Sequence, residues 1–153
     1  MRTVDRRLMR APIERVFAAA SDVEQWPAIL PHYRWVTMLE RSATAGIVEM
    51  AAWRPFGVLK YPTWWVSRME IDRDQWQVRY RHIDGVTRGM DVVWQLVPGA
   101  GTTEVTIVHE WGGPRWPLVG AVAAGLVIGP VFIHGIASRT LAGIARHVER
   151  SNG

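Results

Sequence analysis

The chain has no cysteine, so disulfides and thiolate chemistry are excluded and a reducing compartment fits. Lysine is almost absent too: Lys60 stands alone among 18 basic residues, the others all arginine. No basic run or basic helix face accompanies the net charge of +4, which argues against nucleic acid as a partner. The five histidines are dispersed, without HxxxH or His–carboxylate spacing, so no metal site is expected. No GxGxxG, P-loop or GxSxG motif occurs, and no cofactor is expected. The N-terminal MRTVDRRLM lacks a hydrophobic signal region, so the expected compartment is the cytoplasm. Repeats, low-complexity tracts and linkers are missing, which leaves one domain over residues 1–153 as the expectation.

A long membrane-spanning run is also lacking. The uncharged stretch Pro117 to Ile133 has 17 residues, the short limit for a span, and it contains Gly120, Gly125, Gly129 and Pro130. A helix buried in the protein or covering its surface is expected there. Peripheral contact with the inner face of a membrane, through Leu118 to Ile128, stays open.

What the chain does have is tryptophan, nine of them, against three tyrosines and three phenylalanines. Indoles at this density line a cavity or interface, or fill a core. After Ile133 the apolar positions Ile136, Ala137, Leu141, Ile144 and Val148 recur at three- and four-residue steps, with Arg139, Arg146, Glu149 and Arg150 between them. That spacing predicts a terminal helix, within the run Pro117 to Arg150, that lays one apolar face on something wide.

The preceding chain supplies it. Arg2 to Arg10 predicts an edge strand, Pro12 opens a short helix, and Ser21 or Asp22 caps a second over Val23 to Ile29. Period-two alternation then predicts strands over 33–41, 47–54, 64–71, 75–83, 88–97 and 103–111, with Asp84-Gly85 as a hairpin signal. The predicted fold is α+β: a curved antiparallel sheet of about seven strands wrapped around a long C-terminal helix, with two short helices after the first strand.

The alternation assigns an inner face, because a one-residue slip would turn each strand inside out. On that face the pattern puts Tyr33 with Trp35, Arg54 with Val48 and Met50, Ser67 between Trp65 and Met69, His82 with Tyr80, and His109 with Ile107 and Trp111. Each polar residue alone has a structural explanation. Together they would be costly in a dry core, at about 1–3 kcal/mol for each unpaired group. A partly wet, aromatic-lined cavity removes that cost, and a hydrophobic small molecule is its expected partner.

The segment SDVEQWPAILPHYRWVTMLE, Ser21 to Glu40, with the VVWQL strand around Trp94 and the final helix, resembles the polyketide cyclase/dehydrase and lipid-transport superfamily. That family has the START-like helix-grip fold and includes aromatase/cyclases and coenzyme Q-binding proteins. The resemblance implies a deep cavity between sheet and terminal helix, with Trp26 and Tyr33 at pocket positions. It also implies inner arginines where this chain has Met69 and His82. Two functions follow. In the first, a cyclase or dehydratase acts on a polyketone: His82 or His109 removes a proton beside a carbonyl, and Arg54 and Tyr33 stabilise the enolate oxygen. In the second, the chain carries a lipid, quinone or isoprenoid. The expected ligand-binding set is Trp26, Trp35, Trp65, Ser67, Met69, Tyr80, Met90, Trp94, Ile107, Trp111 and His134.

Overall fold

A computed structural model describes the backbone of residues 1–56, 59–112 and 130–150, and the side chains of residues 1–53, 62–112 and 133–150. The elements run β1 Arg2–Met9, α1 Ile13–Ser21, a 3-10 turn Val23–Gln25, α2 Trp26–Ile29, β2 Tyr33–Arg41, β3 Ala45–Phe56, β4 Leu59–Asp72, β5 Gln77–Gly85, β6 Asp91–Pro98, β7 Thr103–Glu110 and α3 Pro130–Arg150. Seven strands form one antiparallel sheet in the order β1-β7-β6-β5-β4-β3-β2. Hairpin connections generate all of this order except the pairing of β1 with β7, which brings the chain's start beside its last strand.

Helix α3 packs against β1, α1, α2, β3 and β7. Of its predicted stripe, Ile133, Ala137, Leu141, Ile144 and Val148 lie in the core and Ile136 is half-buried against it. Helix α1 meets it with Val16, Phe17 and Ala20. Fully burying a side chain of Leu, Ile or Phe size is worth about 1.5–3 kcal/mol, so this shared core holds helices too short to stand alone. Gly143 makes the approach close, since a Cβ there would sit 2.3 Å from Leu30 Cδ2.

Several boundaries and one cap differ from expectation. β3 and β4 extend toward Phe56 and Leu59, making a hairpin longer than alternation alone indicates. No side chain caps the turn at Val23; Ser21 Oγ instead donates back to Phe17 O at 2.7 Å, inside its own helix. Trp76, expected at the start of β5, lies in the preceding turn at φ 53° and packs edge-on against Phe17, ring centres 5.2 Å apart. The part of the terminal helical run before Pro130 lies outside the described residues.

The largest correction is on β2. Tyr33 pairs with Ala52 and Trp35 with Ala51, so two residues of β2 advance against one of β3. This bulge reverses the phase after Tyr33. Val36 and Met38 turn inward, while Trp35 turns outward at 38% exposure. There its indole donates to Glu49 Oε1 at 3.1 Å, and Arg34 lies over its ring.

Candidate functional site

Between the concave sheet and α3 lies a cavity in which water-sized molecules can place their centres over about 70 Å³, within about 620 Å³ free of protein atoms when adjoining solvent is counted. One water needs roughly 10–15 Å³ on the first measure, so the space holds several. Its wall is aromatic and apolar: Trp26, Tyr33, Trp65, Tyr80 and Trp94, with Met50, Met90, Val92 and Ile107 from the sheet and Ile133, Ile136 and Ala137 from α3. The rings support one another. Trp26 lies 5.6 Å from Trp94 and 5.2 Å from Tyr33, and Tyr33 lies 6.2 Å from Trp65.

His82 and His109 both line this cavity. His82 sits on β5 opposite Ser67, and its ring stacks on Trp65 at 5.7 Å with the planes 5° apart. Its Nδ1 is 2.5 Å from Thr87 Oγ1, a hydrogen bond that fixes the ring. Burial, and after it the neighbouring His109, holds the His82 imidazole down at about 3. Burial holds His109 at about 4, and its Nδ1 has no protein partner. Both rings are therefore neutral at pH 7, because the apolar wall disfavours the imidazolium.

Two phenols complete the polar set. Tyr80 is buried, and its hydroxyl also has no protein partner. Burial, then the nearby Tyr33, raises its titration well above the usual range. Burial raises Tyr33 in the same way, against an opposing pull from the Thr140 hydroxyl. Thr140 Oγ1 donates to Ile136 O at 2.8 Å and lies 2.9 Å from His32 Nε2, so it joins α3 to the start of β2 at the cavity wall. His32 is half-buried, and burial, then Arg139 and Arg146, lowers it to about 4.

The family model described as polyketide cyclase / dehydrase and lipid transport matches residues 9–130. The chain belongs to that family. A search of curated proteins returns no match. Among solved structures, the Zhui aromatase/cyclase of Streptomyces sp. R1128 superposes with a TM-score of 0.87 at 16% identity, covering 100% of this chain and 96% of that one. The protein TTHA0849 of Thermus thermophilus gives 0.83 at 19% identity, with both chains fully covered. A START superfamily protein of Mycobacterium smegmatis gives 0.67 at 13% identity, covering 97% of each chain. The helix-grip fold is thus shared; identities this low speak to fold alone.

Within this member of the polyketide cyclase/dehydrase family, the cavity gathers most of the residues expected from sequence: His82, His109, Tyr33, Trp26, Trp65, Tyr80, Met90, Trp94 and Ile107. Others go elsewhere. Trp35 faces outward, for the reason given. Ser67 is on the inner face but fully buried beside His82's strand position, outside the cavity lining, with its hydroxyl unpartnered. Met69, paired with Tyr80 across β4–β5, lines a separate cleft with Val23, Met38 and Ile71. Trp111 is buried, but its indole donates to Arg88 O at 3.0 Å and braces the β5–β6 turn. His134 is 67% exposed and its Nδ1 pairs with the buried carboxylate of Asp5 on β1, so it does not line the cavity. The side chain of Arg54 lies outside the described residues.

Sequence pattern alone misses Thr87 and Thr140, the two hydroxyls that hold His82 and face Tyr33. Thr87 lies within the turn after β5 and carries no periodic signal. Thr140 hides in the polar-looking step between Ala137 and Leu141. The described residues include no group of three His, Cys, Asp or Glu placed to hold a metal, and no described helix is long and apolar enough to cross a membrane.

Proposed function

We propose that the chain binds a hydrophobic small molecule in this cavity and acts on it as a cyclase or dehydratase of polyketone-like substrates. The observation that carries the reading is an aromatic cavity whose wall holds two buried polar atoms with no protein partner, the Tyr80 hydroxyl and His109 Nδ1. A folded polyketone would stack against Trp26, Trp65 and Trp94. His82 Nε2, steadied through Nδ1 by Thr87, or His109 would take a proton from the carbon beside a carbonyl. The electron pair would pass to the carbonyl oxygen as an enolate, which a phenol such as Tyr33 would stabilise by donation. The enolate carbon would then attack a second carbonyl of the same molecule, closing the ring, and the alkoxide so formed would take the proton back from the imidazolium as a hydroxyl. In the dehydratase step that hydroxyl and a further proton from the adjacent carbon leave as water, giving the C=C bond. The family assignment and the shared fold with an aromatase/cyclase support this reading.

A carrier function is favoured by one specific observation: the imidazoles are held near 3 and 4, far from the neutral range in which a general base works best. One experiment separates the two. The purified chain is incubated with a poly-β-ketone probe, products are followed by mass spectrometry, and His82→Ala and His109→Ala are run beside it. Product formation that falls with either variant supports catalysis. Full turnover in both variants excludes the histidine mechanism, and an unreacted lipid or quinone in native mass spectra establishes carriage.

A further inference from the structure

The geometry points to an uncharged ligand bearing carbonyl or hydroxyl oxygens, with carboxylates, phosphates and amines excluded, one oxygen accepting from the Tyr80 hydroxyl and another meeting His109 Nδ1. This rests on the cavity being the ligand site, and it goes further by naming the chemistry admitted. Tyr80 pairs with Val92 across β5–β6, and Val92 pairs with His109 across β6–β7. The two polar residues thus share one row of the concave face, two strand spacings or about 10 Å apart at the backbone, with a valine between them. Both line the cavity, and in both the buried polar atom has no protein partner. A ligand oxygen at each end would satisfy them.

The described part of this wall supplies no fixed charge. Among the described residues lining it there is no Asp, Glu, Lys or Arg. Its two histidines stay neutral, and its phenols stay protonated. An ionised ligand would give up its hydration and find only neutral partners in return, whereas a ketone of the same shape gives up far less.

The test uses two pairs of probes matched in shape and differing in charge at pH 7: 2-acetonaphthone against 2-naphthoate, and dodecan-2-one against dodecanoate. Binding is measured by isothermal titration calorimetry and by quenching of tryptophan fluorescence. At least one ketone is expected to bind about tenfold more tightly than its carboxylate partner, a difference of about 1.4 kcal/mol. Tyr80→Phe is expected to weaken the ketone several-fold. Because the Tyr80 hydroxyl has no partner in the protein, the same variant should leave urea stability of the free chain unchanged or raised. A carboxylate that binds as tightly as its ketone, or a ketone unaffected by both Tyr80→Phe and His109→Gln, overturns the assignment while leaving the cavity as a ligand site. Binding undiminished by both Trp65→Ala, which strips an aromatic wall, and Ala137→Trp, which fills the space beside α3, overturns the cavity reading itself, and this inference with it.

Discussion

The buried histidines make acid stability the sharpest test of the site. In the unfolded chain an imidazole titrates near 6.5, whereas in the fold His82 is held at about 3 and His109 at about 4. Between pH 7 and pH 5 the unfolded chain therefore takes up protons that the folded chain refuses. Stability from these groups is fully present above pH 6.5 and is lost as the pH falls toward the folded values. Each tenfold difference in proton affinity between the two states is worth about 1.36 kcal/mol. At pH 5 the solution is about 1.5 pH units more acidic than the midpoint of an unfolded imidazole, so each histidine removes about 2 kcal/mol and the pair about 4. Against a typical domain stability of about 5–15 kcal/mol that is a large fraction.

The assay is urea unfolding at pH 7, 6 and 5, followed by tryptophan fluorescence, with the slope against denaturant held common across pH. Wild type should lose about 4 kcal/mol or more over this window, because His32, also lowered to about 4, acts in the same direction. His82→Gln and His109→Gln should each remove nearly one proton from the pH slope, whatever they do to stability at pH 7. A wild-type loss below about 1 kcal/mol would refute the reasoning, as would a double variant with an unchanged slope, since the imidazoles would then be wet enough to charge in place.

Thr87→Val should destabilise the fold by about 1–3 kcal/mol by stranding the buried His82 Nδ1, and Thr87→Ser should restore most of it in urea titrations. Gly85→Ala should lower stability by more than about 1 kcal/mol, because Gly85 has φ 95° and a Cβ would lie 2.3 Å from Trp64 O; thermal unfolding measures this. Trp35→Ser should leave ligand affinity within twofold of wild type while Trp65→Ala reduces it severalfold, by fluorescence titration, since only Trp65 lines the cavity.

The fold is legible in the sequence because its signals are long and redundant. Most strands after α2 alternate in the same phase that the sheet uses, and α3 carries its apolar stripe over four turns. Pattern fails where the backbone departs from strict period two. A single bulge after Tyr33 is enough to put Trp35 on the other face, and nothing in YRW marks it. Asp5 shows the same limit from another side. On an edge strand full of arginines it reads as a solvated charge, yet it is 4% exposed under α3, with His134 as its partner. Which residues meet across α3 and β1 depends on how the helix crosses the sheet, and alternation carries no information on that angle. The cavity wall is readable where it follows from strand phase, as for His82, Tyr80 and Trp94, and hidden where it depends on a turn or a helix side, as for Thr87 and Thr140.

The same burial that makes the cavity suitable for an apolar ligand weakens its histidines as bases, and this tension bears on which function the site performs. An imidazolium formed by taking a substrate proton would be created beside an enolate, so the cavity would hold an ion pair where it had held two neutral groups. The attraction within that pair offsets the desolvation that depresses the free histidine. A ligand that stays intact gives no such compensation, and the rings remain neutral throughout. Binding an enolate mimic that is itself ionised across this range, such as the acidic naphthol 2,4-dinitro-1-naphthol, should therefore raise the titration of His82 or His109, seen as a change in imidazole NMR shifts between pH 5 and 7, if the site performs proton transfer. The same ligand bound with both imidazoles still neutral at pH 5 would place the chain with carriers, because the cavity would then lack the one electrostatic response that enolisation requires.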